Sequence, residues 1–197
     1  MARTRGSSSD ITAQKLHETA TGLFARHGYA AVSMRRIAGA MGVQAGTLYN
    51  YTADKQSLLF DLMRGHMALL LDKFQANADL LPQERLAQMV RFHIRFHLDR
   101  TDAVFIAYNE LRNLTPENRA ALRAMHRQYE DRIEAIVQAG VVRGDFVVTD
   151  TRIATRAIIA MLTGMTAWYR VSGPLGLDEI EAQYVQMVRR MVGVTAE

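Results

Sequence analysis

Apolar residues along this chain recur at intervals of three and four rather than two, and only three prolines interrupt the pattern. That periodicity predicts an all-α fold. A first helix is expected from Asp10 to His27, with Leu16, Ala20, Leu23 and Phe24 on one stripe and Gly28 as its stop. Ser33 reads as the N-cap of a short helix, Met34 to Met41, which Gly42 ends. A second short helix follows from Gln44 to Tyr51, and Asp54 caps a long one that begins at Lys55. Further on, helices are predicted over 82–99 and 102–114, from Thr115-Pro116-Glu117 to Val142 with Gly144 as breaker, over 150–171, and over 178–192. Asp178 with Glu181 three residues later has capping-box spacing. The count is about nine helices, with a division expected at 55/56 into a small N-terminal domain and a larger C-terminal one.

Composition narrows the classes of function. The chain has no cysteine, which excludes disulfides, thiolate metal sites and cysteine nucleophiles and makes a reducing, cytoplasmic setting the expectation. No apolar run approaches the roughly 18–20 residues of a membrane span, and Met1 to Ser9 lacks the apolar stretch of a signal peptide. That start reads instead as a flexible basic arm carrying Arg3 and Arg5. Residues 1–55 hold seven Lys/Arg against three acids, and the remainder is balanced, so the whole net charge of +4 lies in the first 55 residues. A positive field placed this way suits a polyanion.

Residues 34–51 satisfy a steric code. Two helices that cross tightly need a small side chain at the crossing, which Ala38 supplies, and a residue free to bend between them, which Gly42 supplies. Ile37, Met41, Val43, Leu48 and Tyr51 fall where such a unit must be apolar to bury itself on the first helix. Gln44, Ala45, Gly46, Thr47, Tyr49 and Asn50 are left facing outward, small or polar enough to enter a major groove. Phe24-Ala25-Arg26-His27-Gly28-Tyr29, Ser33-Met34-Arg35-Arg36-Ile37-Ala38, Met41-Gly42-Val43 and Gly46-Thr47-Leu48-Tyr49-Asn50-Tyr51, followed by Asp54-Lys55, resemble the N-terminal signature of the TetR family of bacterial transcriptional regulators. One departure is visible: Thr52 stands where the family usually has phenylalanine.

The resemblance implies a helix-turn-helix that binds a duplex DNA operator. On that reading Ser33, Thr47, Tyr49 and Tyr51 hold phosphates through their hydroxyls and Lys55 adds a charge, contacts that set position rather than sequence. Gln44 and Asn50 can pair with adenine, Arg35 with guanine, and Ala45 or the Thr47 methyl can touch a thymine methyl. Gly46 allows close approach. Arg3 and Arg5 can reach an adjacent minor groove. The resemblance also implies a homodimer built from the last two long helices of each copy. The apolar content of residues 150–171 (Ile153, Ala157, Ile158, Met161, Leu162, Met165, Trp168) fits that arrangement, although an ordinary intramolecular core uses the same residues.

Candidate effector residues come from the C-terminal half. His93 and His97 lie one turn apart on one helical face. With no cysteine or nearby acid they read as pocket lining or hydrogen-bonded core histidines rather than metal ligands, and no metal or cofactor is expected. Tyr108, Asn109, Glu110 and Arg112 bring polar groups into an otherwise apolar stretch, as an apolar ligand with a polar head requires. Met161, Met165, Trp168 and Tyr169 are candidates for an acyl tunnel, and Arg95, Arg112, Arg119, Arg123, Arg156 and Arg170 for anion partners. Residues 110–119 and Thr166-Ala167-Trp168-Tyr169-Arg170 with Gly173-Pro174-Leu175 resemble a TetR subgroup controlling steroid and fatty-acid catabolism, which implies a hydrophobic effector such as an acyl-CoA thioester. No Ser/His/Asp order, phosphate loop or paired catalytic carboxylates can be assigned, so no catalytic residue and no enzyme are expected. The expected function is a ligand-responsive repressor. The alternative is a helical ligand-binding or scaffolding protein without specific DNA binding.

Overall fold

A computed structural model describes residues 5–194, with side chains from Thr12 onward; Arg3 and the side chain of Arg5 lie outside this description. All regular structure in the described residues is helical. Ten α-helices follow one another: α1 (Arg5–His27), α2 (Met34–Met41), α3 (Ala45–Leu48), α4 (Lys55–Lys73), α5 (Pro82–Leu98), α6 (Thr101–Asn109), α7 (Pro116–Arg143), α8 (Thr151–Thr163), α9 (Met165–Trp168) and α10 (Leu177–Met191). A 3-10 turn, Leu111–Asn113, precedes α7.

Local chemistry explains most boundaries. Asp54 Oδ1 accepts the Ser57 amide at 2.7 Å, Thr115 Oγ1 the Asn118 amide at 3.3 Å and Asp150 Oδ1 the Ile153 amide at 2.9 Å, each satisfying a donor that a helix start leaves unpaired. Gly28 and Gly144 end their helices with φ of 77° and 80°, a backbone region that glycine enters without steric cost.

Besides α1, which begins at Arg5 and not at Asp10, and α3, three boundaries differ from the periodicity. The helix expected over 102–114 stops at Asn109, because Glu110 leaves helical geometry and its side chain turns to backbone elsewhere. The helix expected over 150–171 breaks at Gly164: the Thr166 hydroxyl donates to Thr163 O at 2.9 Å, competing with the ladder, and Tyr169 is already extended. The capping box expected at Asp178 and Glu181 does not form. Gly176 precedes α10 instead, and both carboxylates face Arg95.

The chain forms two compact units, residues 1–68 with 102–123 and residues 69–101 with 124–197. This grouping does not follow a linear cut at 55/56, since α6 and the start of α7 join the first unit. In the first unit α1 packs on α2 and α2 on α3, and Leu16, Ala20, Phe24, Ile37, Leu48 and Leu59 are buried. In the second, α5 packs on α8, α9 and α10, with Leu86, Val90, Ile94, Ile158, Leu162 and Val188 buried. No helix among the described residues is long and apolar enough to cross a membrane.

Candidate functional site

The helix-turn-helix is held by caps at both ends of α2. Ser33 is extended and its Oγ accepts the Arg36 amide at 3.2 Å. At the other end Gly42 has φ 72°, its amide donates to Gly39 O at 3.2 Å, and the Val43 amide reaches back to Ala38 O at 3.0 Å. Ala38 is 2% exposed on α2, which packs on both α1 and α3. Thr52 is buried, and its hydroxyl donates to Asp54 O at 3.0 Å, which accommodates a polar group at that turn.

α3 is shorter than the expected Gln44–Tyr51. It keeps α geometry only over Ala45–Leu48, and the amides of Tyr49, Asn50 and Tyr51 donate three residues back, to Gly46, Thr47 and Leu48. The tighter winding leaves Gln44, Gly46, Tyr49 and Asn50 exposed, with Ala45, Thr47 and Tyr51 half-buried. Nothing lies within 4 Å of where a Gly46 Cβ would stand, so that surface is open. Arg35 and Arg36 are also exposed. The face thus carries donors, acceptors, two guanidinium groups and little bulk.

Two members of the expected set have other work. Ser33 Oγ is engaged as the α2 cap. Lys55 Nζ donates to Tyr29 O at 2.8 Å and Val32 O at 2.7 Å and lies 4.0 Å from the Tyr29 ring centroid. Burial pulls its ammonium below the ordinary lysine value, opposed by the charge of Glu110. Lys55 therefore tethers the turn before α2 while remaining half-buried.

The expected effector residues are divided between the two units. Tyr108, Asn109, Glu110 and Arg112 belong to the first unit, where Glu110 is buried and Asn109 Nδ2 donates to Phe105 O at 2.9 Å. His93 and His97 are fully buried in the second unit with ring centroids 3.8 Å apart and planes 8° from parallel. The His93 ring nitrogens hydrogen-bond with the Tyr129 hydroxyl at 2.9 Å and Thr163 Oγ1 at 3.1 Å, and His97 Nδ1 donates to His93 O at 2.9 Å. Met165 is buried, Met161 half-buried, and Trp168 half-exposed against Tyr169 at 6.4 Å. Among the described residues no cluster of three or more His, Cys, Asp or Glu could hold a metal ion.

An open cleft of about 680 Å³ does occur in the second unit, walled by Leu98, Thr101, Thr166, Tyr169 and Leu177, with Asp99 and Arg170 also on its lining. Of the expected effector residues it includes Tyr169 and Arg170. Leu98, Thr101 and Leu177 carried no sequence signal, because their convergence depends on the break at Gly164 and on packing of α5 against α10. A second cleft of about 470 Å³ is lined by Asp72, Gln75, Gln128 and Arg132 among others, a polar set less suited to an apolar guest.

Comparison with known proteins agrees with this geometry. Residues 16–62 match the family described as bacterial regulatory proteins, tetR family, and residues 79–192 match the tetracyclin repressor-like C-terminal domain. The HTH-type transcriptional repressor KstR2 of Mycobacterium tuberculosis is 26% identical over 190 residues, covering 93% of this chain and 92% of that protein. A tetR-family regulatory protein from Rhodococcus RHA1 superposes with a TM-score of 0.88 at 27% identity, covering 93% of this chain and 98% of that one. AibR, solved in complex with isovaleryl coenzyme A and operator DNA, gives 0.79 at 26% identity over 89% of this chain and 96% of that one. With its helix-turn-helix and its C-terminal domain both matched, the chain belongs to the TetR family and is a DNA-binding transcriptional regulator.

Proposed function

We propose that this regulator is a homodimeric repressor that holds a palindromic operator and releases it when an acyl-CoA thioester or a similar apolar anion enters the second unit. The observation that carries the DNA half is the capped α2–α3 unit with Arg35, Gln44, Gly46, Tyr49 and Asn50 open to solvent. In this reading Gln44, Asn50 and Arg35 read base edges, Ala45 and Thr47 touch a thymine methyl, and Tyr49, Tyr51 and Ser33 contact phosphate.

Pairing through α8 and α10 is supported by apolar side chains left open on both: Ile153 at 66% exposure, with Met187 and Met191 nearly half exposed. A two-fold protein matches a palindromic site, with recognition helices about 34–36 Å apart. A ligand that favours a different spacing then weakens binding without touching DNA.

The effector reading rests on the 680 Å³ cleft, whose leucines and Tyr169 suit an acyl chain while Arg170 suits a phosphate, and on the thioester bound by the related AibR. Selection of genomic fragments by the purified protein, followed by titration at two salt concentrations with and without isovaleryl-CoA and a longer acyl-CoA, tests both halves. Preferential retention of a palindromic fragment and its release by one of the thioesters is expected. Retention of no fragment above random duplex would remove the regulator mechanism, and retention that every thioester leaves unchanged would remove the effector class.

A further inference from the structure

The turn that feeds α2 is gripped on two sides by opposite charges. Lys55 Nζ takes the carbonyls of Tyr29 and Val32, and the buried carboxylate of Glu110 takes the Tyr29 amide, Oε1 accepting it at 3.1 Å. Glu110 Oε2 accepts from Asn113 Nδ2, and the Asn113 carbonyl accepts from Gln56 Nε2 in the first turn of α4. These six residues join the turn before α2, the start of α4 and the segment after α6, all within the first unit. Burying a carboxylate costs free energy that an apolar residue of similar size would avoid, and here the bonds accepted from Tyr29 and Asn113 offset that cost. Val32 O is the last acceptor before the Ser33 cap, so this grip fixes where α2 begins and, through Gly42, where α3 points.

We infer that Glu110 is a positioning residue for DNA recognition: its hold on the Tyr29 amide sets the attitude of α2 and α3, so that the arrangement of residues 110–113 governs operator affinity. The inference rests on the operator-binding reading given above. It concerns a buried residue that acts through the turn and not from the exposed face of α2–α3.

The test measures Kd for the operator fragment selected by the wild-type chain and for random duplex of equal length, at two salt concentrations, with helicity and the thermal transition followed in parallel. Glu110→Ala is expected to weaken the operator complex by about ten-fold while leaving the random-duplex Kd and the salt slope unchanged. Glu110→Gln keeps an acceptor for the Tyr29 amide and should recover most of the loss. A folded Glu110→Ala protein whose operator Kd stays within about two-fold of wild type would overturn the inference. Should Glu110→Ala fail to fold, Asn113→Ala, which loosens the carboxylate without removing it, is read by the same criterion. A wild-type chain that selects no fragment overturns the operator reading and this inference together, and that failure is visible before any variant is made.

Discussion

Arg95 and Glu181 meet between α5 and α10 with 2.6 Å separating Nε and Oε1, and the two ends of the pair sit in different media: the Glu181 side chain is 3% exposed and the Arg95 side chain 52%. Nη2 donates to Glu181 Oε2 at 2.8 Å and to Asp178 Oδ1 at 2.6 Å, and these bonds raise the guanidinium pKa above its ordinary value. A buried carboxylate left without its partner is costly, whereas an apolar pair in the same place need not be. Arg95→Ala should therefore lower the melting temperature more than the double replacement Arg95→Met with Glu181→Leu. Thermal melts of the two variants decide it, and equal losses would mean that Glu181 draws its stability from something other than Arg95.

Gly140 is required for space rather than for backbone freedom. A Cβ there would lie 2.0 Å from Phe146 Cδ2, and Phe146 is buried where the chain folds back after α7, its amide and that of Asp145 both donating to Gly140 O. Gly140→Ala is expected to cost about 1–3 kcal/mol by overpacking. Adding Phe146→Leu should return part of that loss in urea unfolding, because the smaller side chain clears the methyl. An unchanged midpoint for Gly140→Ala would show that the ring can move away freely.

His126 in α7 gives the fold a dependence on pH. Burial lowers its pKa below the ordinary 6.5, partly opposed by the Glu130 carboxylate. Since the unfolded chain then binds the proton more readily than the folded one, stability falls as pH drops through 6.5 toward the folded value and is level above it. His126→Gln should flatten that part of the profile. Urea midpoints of both proteins at pH 7.5 and 5.5 provide the comparison; parallel profiles would assign the acid sensitivity to other groups.

The parts of the molecule that were legible in the sequence are those decided by neighbours along the chain. Ser33, Asp54, Thr115 and Asp150 cap helices because their side chains need reach only three residues, and Gly28, Gly42 and Gly144 end helices because of their own backbone. The outward face of α2–α3 was readable for the same reason. Asp178 and Glu181 misled because a stronger partner, Arg95, arrives from α5, more than eighty positions away. The 680 Å³ cleft was illegible except at Tyr169 and Arg170, since its walls come from α5, the start of α6, α9 with the segment after it, and the start of α10. His93 and His97 show the converse: their one-turn spacing was plain, and only tertiary packing reveals that both rings are stacked and hydrogen-bonded inside the second unit.

Recognition should separate by residue into sequence-dependent and sequence-independent effects. Gln44 and Asn50 are exposed amides on the open face, and each can make paired hydrogen bonds to an adenine edge. Gln44→Ala or Asn50→Ala is expected to cost about 1–3 kcal/mol against the preferred base at one position and to relax the choice there. Lys55→Ala acts otherwise. Its ammonium holds Tyr29 O and Val32 O, so its loss frees the turn before α2 and, like Glu110→Ala, weakens the operator and each of its single-position variants by a similar factor, with some loss of fold stability. Tyr49→Phe, removing only an exposed hydroxyl, should also act uniformly but leave stability unchanged. Binding of each variant to a library randomised one operator position at a time distinguishes the two classes. If Lys55→Ala shifted base preference as Asn50→Ala does, the lysine would have to leave its two carbonyls and reach the bases itself, and the tethering role assigned to it would fall.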